Sequence, residues 1–274
     1  MTGHLSILHL NLGKRKQVQL SLLNDETLKD FDALATVEPY IYRHPHTNKP
    51  TVTPHASWQM FTPSKERTDS QPRHAVRSLI WVNNKCKAQA VPVDSHDITA
   101  VSIQAARGSV LLISAYDARD DETEGQRERQ LQLKLELIAT TIKKAREDAK
   151  IAGADIEVVI AADLNRHHIL WGGPKVWSTP NRRNEGDQIV DCIQELGLQS
   201  MLKAGTITWE HQTARMSSTP DTMFASHGLA NAMVCCNIHT VDHGSDHKAI
   251  VLETSTLLDN YEERERKRLY FEAD

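Results

Sequence analysis

The residue types able to do chemistry stand where apolar runs give way to loops. Asn11 ends a run that begins at Leu5, and Glu38 closes ALATVE. Asp163 and Asn165 follow DIEVVIAA, and Asp246 and His247 precede KAIVLET. Groups mounted where strands hand over to loops are a common way to build a site on a rigid scaffold. Hard oxygen donors combined with a histidine suit Mg²⁺ acting on a phosphate ester. Each residue alone also has an ordinary structural explanation. Asn11 can cap a helix, Asp163 can close an Asx-turn, Glu38 before a proline can be a solvated strand end, and Asp246 with His247 can cap a turn.

The elements that must carry these groups follow from periodicity. Leu5, Ile7, Leu8, Leu10 and Leu12 predict a buried strand ending near Asn11. LGKRKQVQLSLLNDETLKDFD predicts a helix with Val18, Leu22 and Leu28 on its apolar stripe. DALATVEPY predicts a strand stopped by Pro39. The stretches 40–53 and 62–74, rich in Pro, His, Thr and Asn, predict loops around the short strand SWQMF. SLIWV, ITAVSIQ and SVLLISAY predict strands, with Arg107-Gly108 as a hairpin turn. A long helix is expected over about 122–150, because Leu131, Leu135, Ile138, Ile142, Ala145 and Ala149 step by fours and threes. DIEVVIAADL, TITWE, DTMFAS, MVCCNIHTV and KAIVLET predict further strands, and EGDQIVDCIQELGL a short helix. Many strands against two substantial helices suit an α/β four-layer sandwich, two packed mixed sheets with helices outside. One catalytic domain over 1–256 and a charged tail over 257–274 are expected.

Composition bounds the class. The chain has 274 residues, 39% hydrophobic and 25% charged, with a formal net charge of −4. That excludes a collagen-like repeat, a coiled-coil rod and a disordered chain, and gives no global attraction to nucleic acid, although a local basic face is compatible with it. No apolar run approaches the ~20 residues that cross a bilayer. The N-terminus lacks a signal-peptide pattern, and Cys86, Cys192, Cys235 and Cys236 form no C-x-x-C pair. A non-secreted protein of the nucleus or cytoplasm with reduced thiols is expected.

Several other residues have two readings. Lys14, Arg15 and Lys16 open a helix beside the expected site, and read equally as phosphate contacts or as a basic solvated face. Arg182 and Arg183 divide the same way. Arg166 opens a loop, 166–184, suited to DNA readout. His167 and His168 are adjacent, so joint ligation of one ion is disfavoured; contact with a nucleic-acid backbone or packing beneath Trp171 remain. Trp81 and Trp209 are expected in the core.

The order LNL, ATVEPY, SAY, AADLNRHHILWGG, SSTPDTMFAS and GSDHKAI resembles the endonuclease/exonuclease/phosphatase superfamily. Within it, the chain resembles the apurinic-type endonuclease domains of non-LTR (LINE-like) retrotransposons. The resemblance spans about residues 5–255, and its most specific string is D-L-N-R-H-H-I-L-W-G. It departs from the family pattern at Ala162 (usually Gly), Leu164 (usually Phe) and Pro220-Asp221-Thr222 (usually I-D-L). Leu12-Gly13 after Asn11 offers no second polar ligand.

The resemblance implies a DNase-I-like fold and a Mg²⁺-dependent phosphodiesterase, with Mn²⁺ as an alternative ion. Glu38 would be the main metal ligand, with Asn11 and Asp246 nearby. Asp163 would deprotonate the attacking water, and Asn165 would hold that water or the phosphate. His247, paired with Asp221, would donate to a non-bridging oxygen, and Tyr116 would sit beside the phosphate or the leaving oxygen. Lys14, Arg15, Arg166, His168 and Arg182 would face DNA. The implied role is nicking of target DNA, with a reverse transcriptase in the full-length element and none within this chain. A phosphatase or lipid phosphodiesterase of the same fold, and a silent retroelement remnant that binds nucleic acid, are the rival readings.

Overall fold

The computed structural model describes residues 4–65, 76–105, 108–118, 123–174, 176, 185–211, 213 and 216–255. Side chains of an extended chain alternate between its faces, and that alternation builds the layers. In His4–Asn11, Leu5 and Ile7 face one way and Leu8 and Leu10 the other, and all four are buried. Leu5 and Ile7 join Ala33, Ala35, Ile80 and Val82 against Val101, Leu112, Val159 and Met223 of an opposing sheet. Leu8 and Leu10 join Leu34, Leu79 and Trp81 beneath Val18 and Leu22 of the helix Lys16–Leu23. Across the molecule, Leu111, Ile113, Val158 and Ile160 lie under Leu131, Leu135, Ile138 and Ile142 of the helix Glu124–Ile151. Ile189 and Ile193 of the helix Asp187–Glu195 complete that layer. The architecture is the expected four-layer α/β sandwich.

The first sheet has the order Met233–Ile238, Ile250–Ser255, His4–Asn11, Ala33–Val37, Ser78–Asn83, Trp58–Phe61. The second has the order Leu198–Ser200, Asp221–Ser226, Ile156–Asp163, Ser109–Tyr116, Ile98–Gln104, Ala88–Val91. Both mix parallel and antiparallel neighbours. Two registers matter for function. Asn11 pairs with Val37, one residue before Glu38, and Asp163 pairs with Tyr116 on one side and Asp221 on the other.

Several local expectations are corrected. The first helix stops at Leu23; Asp25 then caps a separate 3-10 turn, Glu26–Leu28, by accepting from the Thr27 N–H. The expected loop 40–53 contains a small hairpin, Ile41–Arg43 with Pro50–Val52. Ala88–Val91 and Leu198–Ser200 are edge strands that the pattern did not announce. TITWE reduces to Trp209–Glu210, paired with Ser217–Ser218. Arg107, Glu122, Arg182, Arg183 and the tail 257–274 lie outside the described residues.

Gly108 ends the hairpin between Ile98–Gln104 and Ser109–Tyr116 with φ +84°, and a Cβ there would lie 2.1 Å from the backbone oxygen of Asp155. That oxygen accepts from the Ser109 N–H at 3.0 Å and so cannot easily withdraw. Gly108→Ala is expected to destabilise the fold by more than ~1 kcal/mol, read as a lower urea midpoint. An unchanged midpoint would contradict the placement of this turn.

Candidate active site

The inter-sheet face of the sandwich turns polar at one end. Leu5 and Ile7 are followed on the same face of their strand by His9 and Asn11, Val159 and Ala161 by Asp163, and Leu112 by Ser114 and Tyr116. On the opposing antiparallel strand, Asp221 precedes Met223 and Ala225. The alternation that fills the core with aliphatic groups thus delivers its last members to a single polar cluster. Glu38 comes just beyond Ala33–Val37 with φ +49°, and Asn165 just beyond Asp163 with the same φ, so both turn sharply out of their strands.

Asn11 joins the two sheets. Its Nδ2 donates to Glu38 Oε2 at 3.1 Å and to Asp163 Oδ2 at 2.8 Å, and its Oδ1 accepts from the Gly13 N–H at 2.8 Å. Asp163 Oδ1 accepts from the Asn165 N–H at 3.1 Å, the Asx geometry expected of it. His247 Nδ1 donates to Asp221 Oδ2 at 2.8 Å. On its other side, Asp221 Oδ1 faces His9 Nε2 at 3.5 Å. Ser245 Oγ donates to the Asn11 carbonyl at 2.7 Å and accepts from the His247 N–H at 3.2 Å, tying the last loop to the first strand.

These contacts set the charges. Burial and then the neighbouring Asp221 push the pKa of Asp163 up to about 7, with His247 and the Asn11 hydrogen bond opposing. Burial works against charge on Asp221 as well, but the charge and hydrogen bond of His247, then His9, outweigh it and hold it well below the usual carboxylate range. Burial disfavours the imidazolium of His247, yet Asp221 and then Asp163 raise it to about 9. Tyr116 is raised by burial, then by the charges of Glu38 and Asp163, and so stays a neutral phenol. The cluster therefore pairs a carboxylate poised near neutrality with a cationic histidine, an acid–base division set by environment.

A buried ionic network braces the cluster, and sequence reasoning missed it. Arg77 donates to both carboxylate oxygens of Asp97, at 2.6 and 2.9 Å, and its guanidinium lies 5.7 Å from the Tyr116 ring centre. Lys134 bridges Asp97 at 3.1 Å and Asp117 at 2.9 Å. Asp117 also holds Arg166 at 3.1 Å, while its carbonyl accepts from Asn165 Nδ2 at 2.9 Å. Lys134 gives no sign in the sequence, because the helix spacing says only that it lies off the apolar stripe. His9 does carry a signal: a histidine in an apolar strand, two residues before Asn11 and so on the same face.

A family model for endonuclease–reverse transcriptase proteins matches residues 110–251, just over half of the chain. The chain belongs to this family. Members of the endonuclease–reverse transcriptase family are hydrolases of phosphodiester bonds. The fold is similar to that of the endonuclease domain of TRAS1, a telomere-specific non-LTR retrotransposon, at 18% identity and TM-score 0.65, over 91% of this chain and 98% of that one. It is similar to the APE2 catalytic domain of Xenopus laevis at 13% identity and TM-score 0.67, over 92% of both chains. It is also similar to an AP endonuclease of Leishmania major at 12% identity and TM-score 0.64, over 92% of this chain and 88% of that one. No curated protein matches the sequence.

In this member of the endonuclease–reverse transcriptase family the candidate basic residues are placed unequally. Lys14 reaches Glu38 Oε1 at 2.7 Å, and Arg15 pairs with Asp246 and donates to the Gly244 carbonyl at 3.1 Å. Both side chains are about a third exposed, 31% and 35%, and each is paired with a carboxylate of the candidate site. Arg166 is buried against Asp117 and does not present to solvent. His167 Nδ1 meets Glu185 at 2.8 Å, whereas His168 accepts from the Leu170 N–H and stacks at a tilt on Trp171. The two adjacent histidines thus have separate partners. Trp81 is core as expected, but Trp209 is half-buried at the site rim, its Nε1 donating to Asp246 Oδ2 at 3.1 Å.

The donors fit a hard divalent cation. Glu38 and Asp246 each present a carboxylate, here paired with a basic side chain, and carboxylate oxygens are the hard donors that Mg²⁺ takes. Asn11 is placed as a bracket between Glu38 and Asp163, with its oxygen already used by Gly13. Asp163, Asp221 and His247 also bring ligand atoms within 4.8 Å of one another. Glu38 and Asp246 are the groups that could hold a metal ion, since imidazolium His247 has no free lone pair to offer one.

Proposed function

We propose that the chain is a Mg²⁺-dependent DNA endonuclease that nicks target DNA for a non-LTR retrotransposon, with a reverse transcriptase as its partner in the full-length element. The observation that carries this reading is the juxtaposition of Asp163 with the Asp221–His247 pair, bracketed by Asn11 to Glu38 in a family of phosphodiester hydrolases.

The chemistry follows from these positions. Asp163 takes a proton from water as its oxygen bonds to phosphorus and the bond to the leaving oxygen breaks. Asn165, held by Asp117, orients the water or the phosphate. Imidazolium His247 donates to a non-bridging oxygen where negative charge grows, which is where a fixed donor lowers the barrier most. Asp221 and His9 aim it. Tyr116, kept neutral, offers its O–H beside the phosphate or the leaving oxygen. A cation held by Glu38 and Asp246 would neutralise phosphate charge when bound. Lys14 and Arg15, at the mouth, supply the nearest phosphate contacts.

Two titrations bound the activity. Asp163 must be ionised, so the rate rises as pH passes about 7; His247 must be protonated, so it falls as pH passes about 9. A bell-shaped profile of plasmid nicking is expected, its limbs belonging to the coupled pair, and a rate still climbing at pH 10 would remove His247 from the role of donor. Substrate class is tested by offering supercoiled plasmid, a phosphoinositide and a phosphate monoester in parallel. Open circles with little turnover of the other two are expected. The reverse preference would make the chain a phosphatase or lipid phosphodiesterase, and salt-sensitive DNA binding without turnover would make it a silent remnant.

A further inference from the structure

At the start of the loop that carries Asp246 and His247, three residues from two segments converge. Asp25 caps the Glu26–Leu28 turn, His239 follows the strand Met233–Ile238, and His243 sits in the loop ahead of Asp246. One ligand atom from each lies within 4.8 Å of the others. Among the described residues, Asp25 Oδ2, His239 Nδ1 and His243 Nε2 are buried and have no hydrogen-bond partner. Unpaired polar atoms in a folded interior are costly and rare, and three from one cluster call for a common partner.

We propose that Asp25, His239 and His243 form a second metal site, for a zinc-type transition-metal ion, that pins the loop bearing Asp246 and His247 to the first helix and its following turn. The site is built for it. His243 Nε2 and Asp25 Oδ2 stand 3.7 Å apart, beyond hydrogen-bonding distance. That separation is near the ~3.3 Å edge of a tetrahedron with bonds of about 2.0–2.1 Å. The remaining atoms are already committed to orientation. Asp25 Oδ1 accepts from the Thr27 N–H at 2.8 Å and its hydroxyl at 2.7 Å, and Ser21 Oγ lies 3.2 Å from His243 Nδ1. With Nδ1–H donating to Ser21, the lone pair of His243 sits on Nε2, the usual outer-sphere arrangement for a ligating histidine. The backbone N–H of His239 donates to the Ala249 carbonyl at 2.8 Å, and the centres of the two imidazole rings lie 6.0 Å apart.

An ordinary His–Asp ion pair does not account for the cluster. Burial disfavours the imidazolium of His243 and outweighs the opposing charge of Asp25. Two imidazoles with one carboxylate select zinc-type ions over Mg²⁺. His239 and His243 also line a cavity of about 590 Å³, together with Asp242, Asp246 and His247.

The test is a Co²⁺ titration of the metal-stripped full chain in excess Mg²⁺, followed by its visible absorption. One Co²⁺ per chain with the intense bands of a tetrahedral centre, displaced by Zn²⁺, is expected. Asp25→Asn keeps the Oδ1 cap and should weaken Co²⁺ binding by more than about tenfold, and Ser21→Ala by ~10–100-fold. Asp163→Asn and Glu38→Ala should leave it intact. Circular dichroism of each metal-free variant separates loss of ligation from loss of fold, and Ser21→Ala, which removes no ligand, decides if Asp25→Asn does not fold. No stoichiometric Co²⁺ would overturn the site. So would unchanged affinity in folded Asp25→Asn, or binding lost with Asp163→Asn instead.

Discussion

Asp163→Asn is expected to lower the single-turnover rate of DNA nicking by roughly 10²–10⁴-fold while leaving the protein folded. Asparagine matches aspartate in shape and keeps an oxygen for the Asn11 amide, but it cannot accept the proton of water. Asp163 is buried, and only one of its neighbours at full charge, His247, favours its ionisation. Its charge therefore costs stability. Its folded pKa of about 7 lies above the ordinary aspartate value of about 3.9, so between the two the wild-type protein binds a proton there that the unfolded chain has released. That contribution is present below the unfolded value and is lost as pH rises through about 7. Urea midpoints should consequently shift in favour of Asp163→Asn between pH 5 and pH 8, even as activity disappears. A variant that keeps wild-type rates would exclude Asp163 as the base. One whose relative stability falls with pH would contradict the buried, charge-crowded environment.

His247→Ala should remove nicking to a comparable degree and, unlike Asp163→Asn, should damage the fold. Asp221 is 1% exposed at its side chain, and its charge rests on His247 at 2.8 Å and His9 at 3.5 Å. Removing His247 strands a buried carboxylate, an event that typically costs about 3–5 kcal/mol. The double change Asp221→Asn with His247→Gln removes both charges and is expected to recover most of the lost stability and none of the activity. The double variant separates the two roles of the pair. If it stays as unstable as His247→Ala, the loss lies in packing and not in the stranded charge. If it nicks DNA at the wild-type rate, His247 is not the phosphate donor.

The strands that carry this chemistry were legible because both faces of each are buried. Continuous apolar runs such as SVLLISAY and DIEVVIAA announce themselves, and they stop where Tyr116 and Asp163 begin. Ile41–Arg43, Ala88–Val91 and Leu198–Ser200 were not legible, since short edge strands have too few residues to show a period. The first helix was overextended because Leu28 continues its apolar stripe, while the Asx cap at Asp25 that resets the chain is a local hydrogen bond rather than a periodicity. Within the site, residue types at strand ends pointed to Asn11, Glu38, Asp163, Asn165, Asp246 and His247. Tyr116 and Asp221 were reached through the family resemblance alone, and the register that sets both beside Asp163 is a tertiary fact. Arg166 and Trp209 changed character for the same reason. Asp117 draws the arginine inward and Asp246 draws the tryptophan to the rim, and neither partner is near in sequence.

The most direct measurement is nicking of supercoiled plasmid by the wild-type protein across a Mg²⁺ titration, with EDTA and Glu38→Ala as controls. Open circles that require Mg²⁺, that EDTA abolishes, and that Glu38→Ala fails to produce at the same Mg²⁺ concentration are the predicted result. Intact plasmid from folded protein at saturating Mg²⁺ and Mn²⁺ would contradict the account, as would nicking that persists undiminished in EDTA.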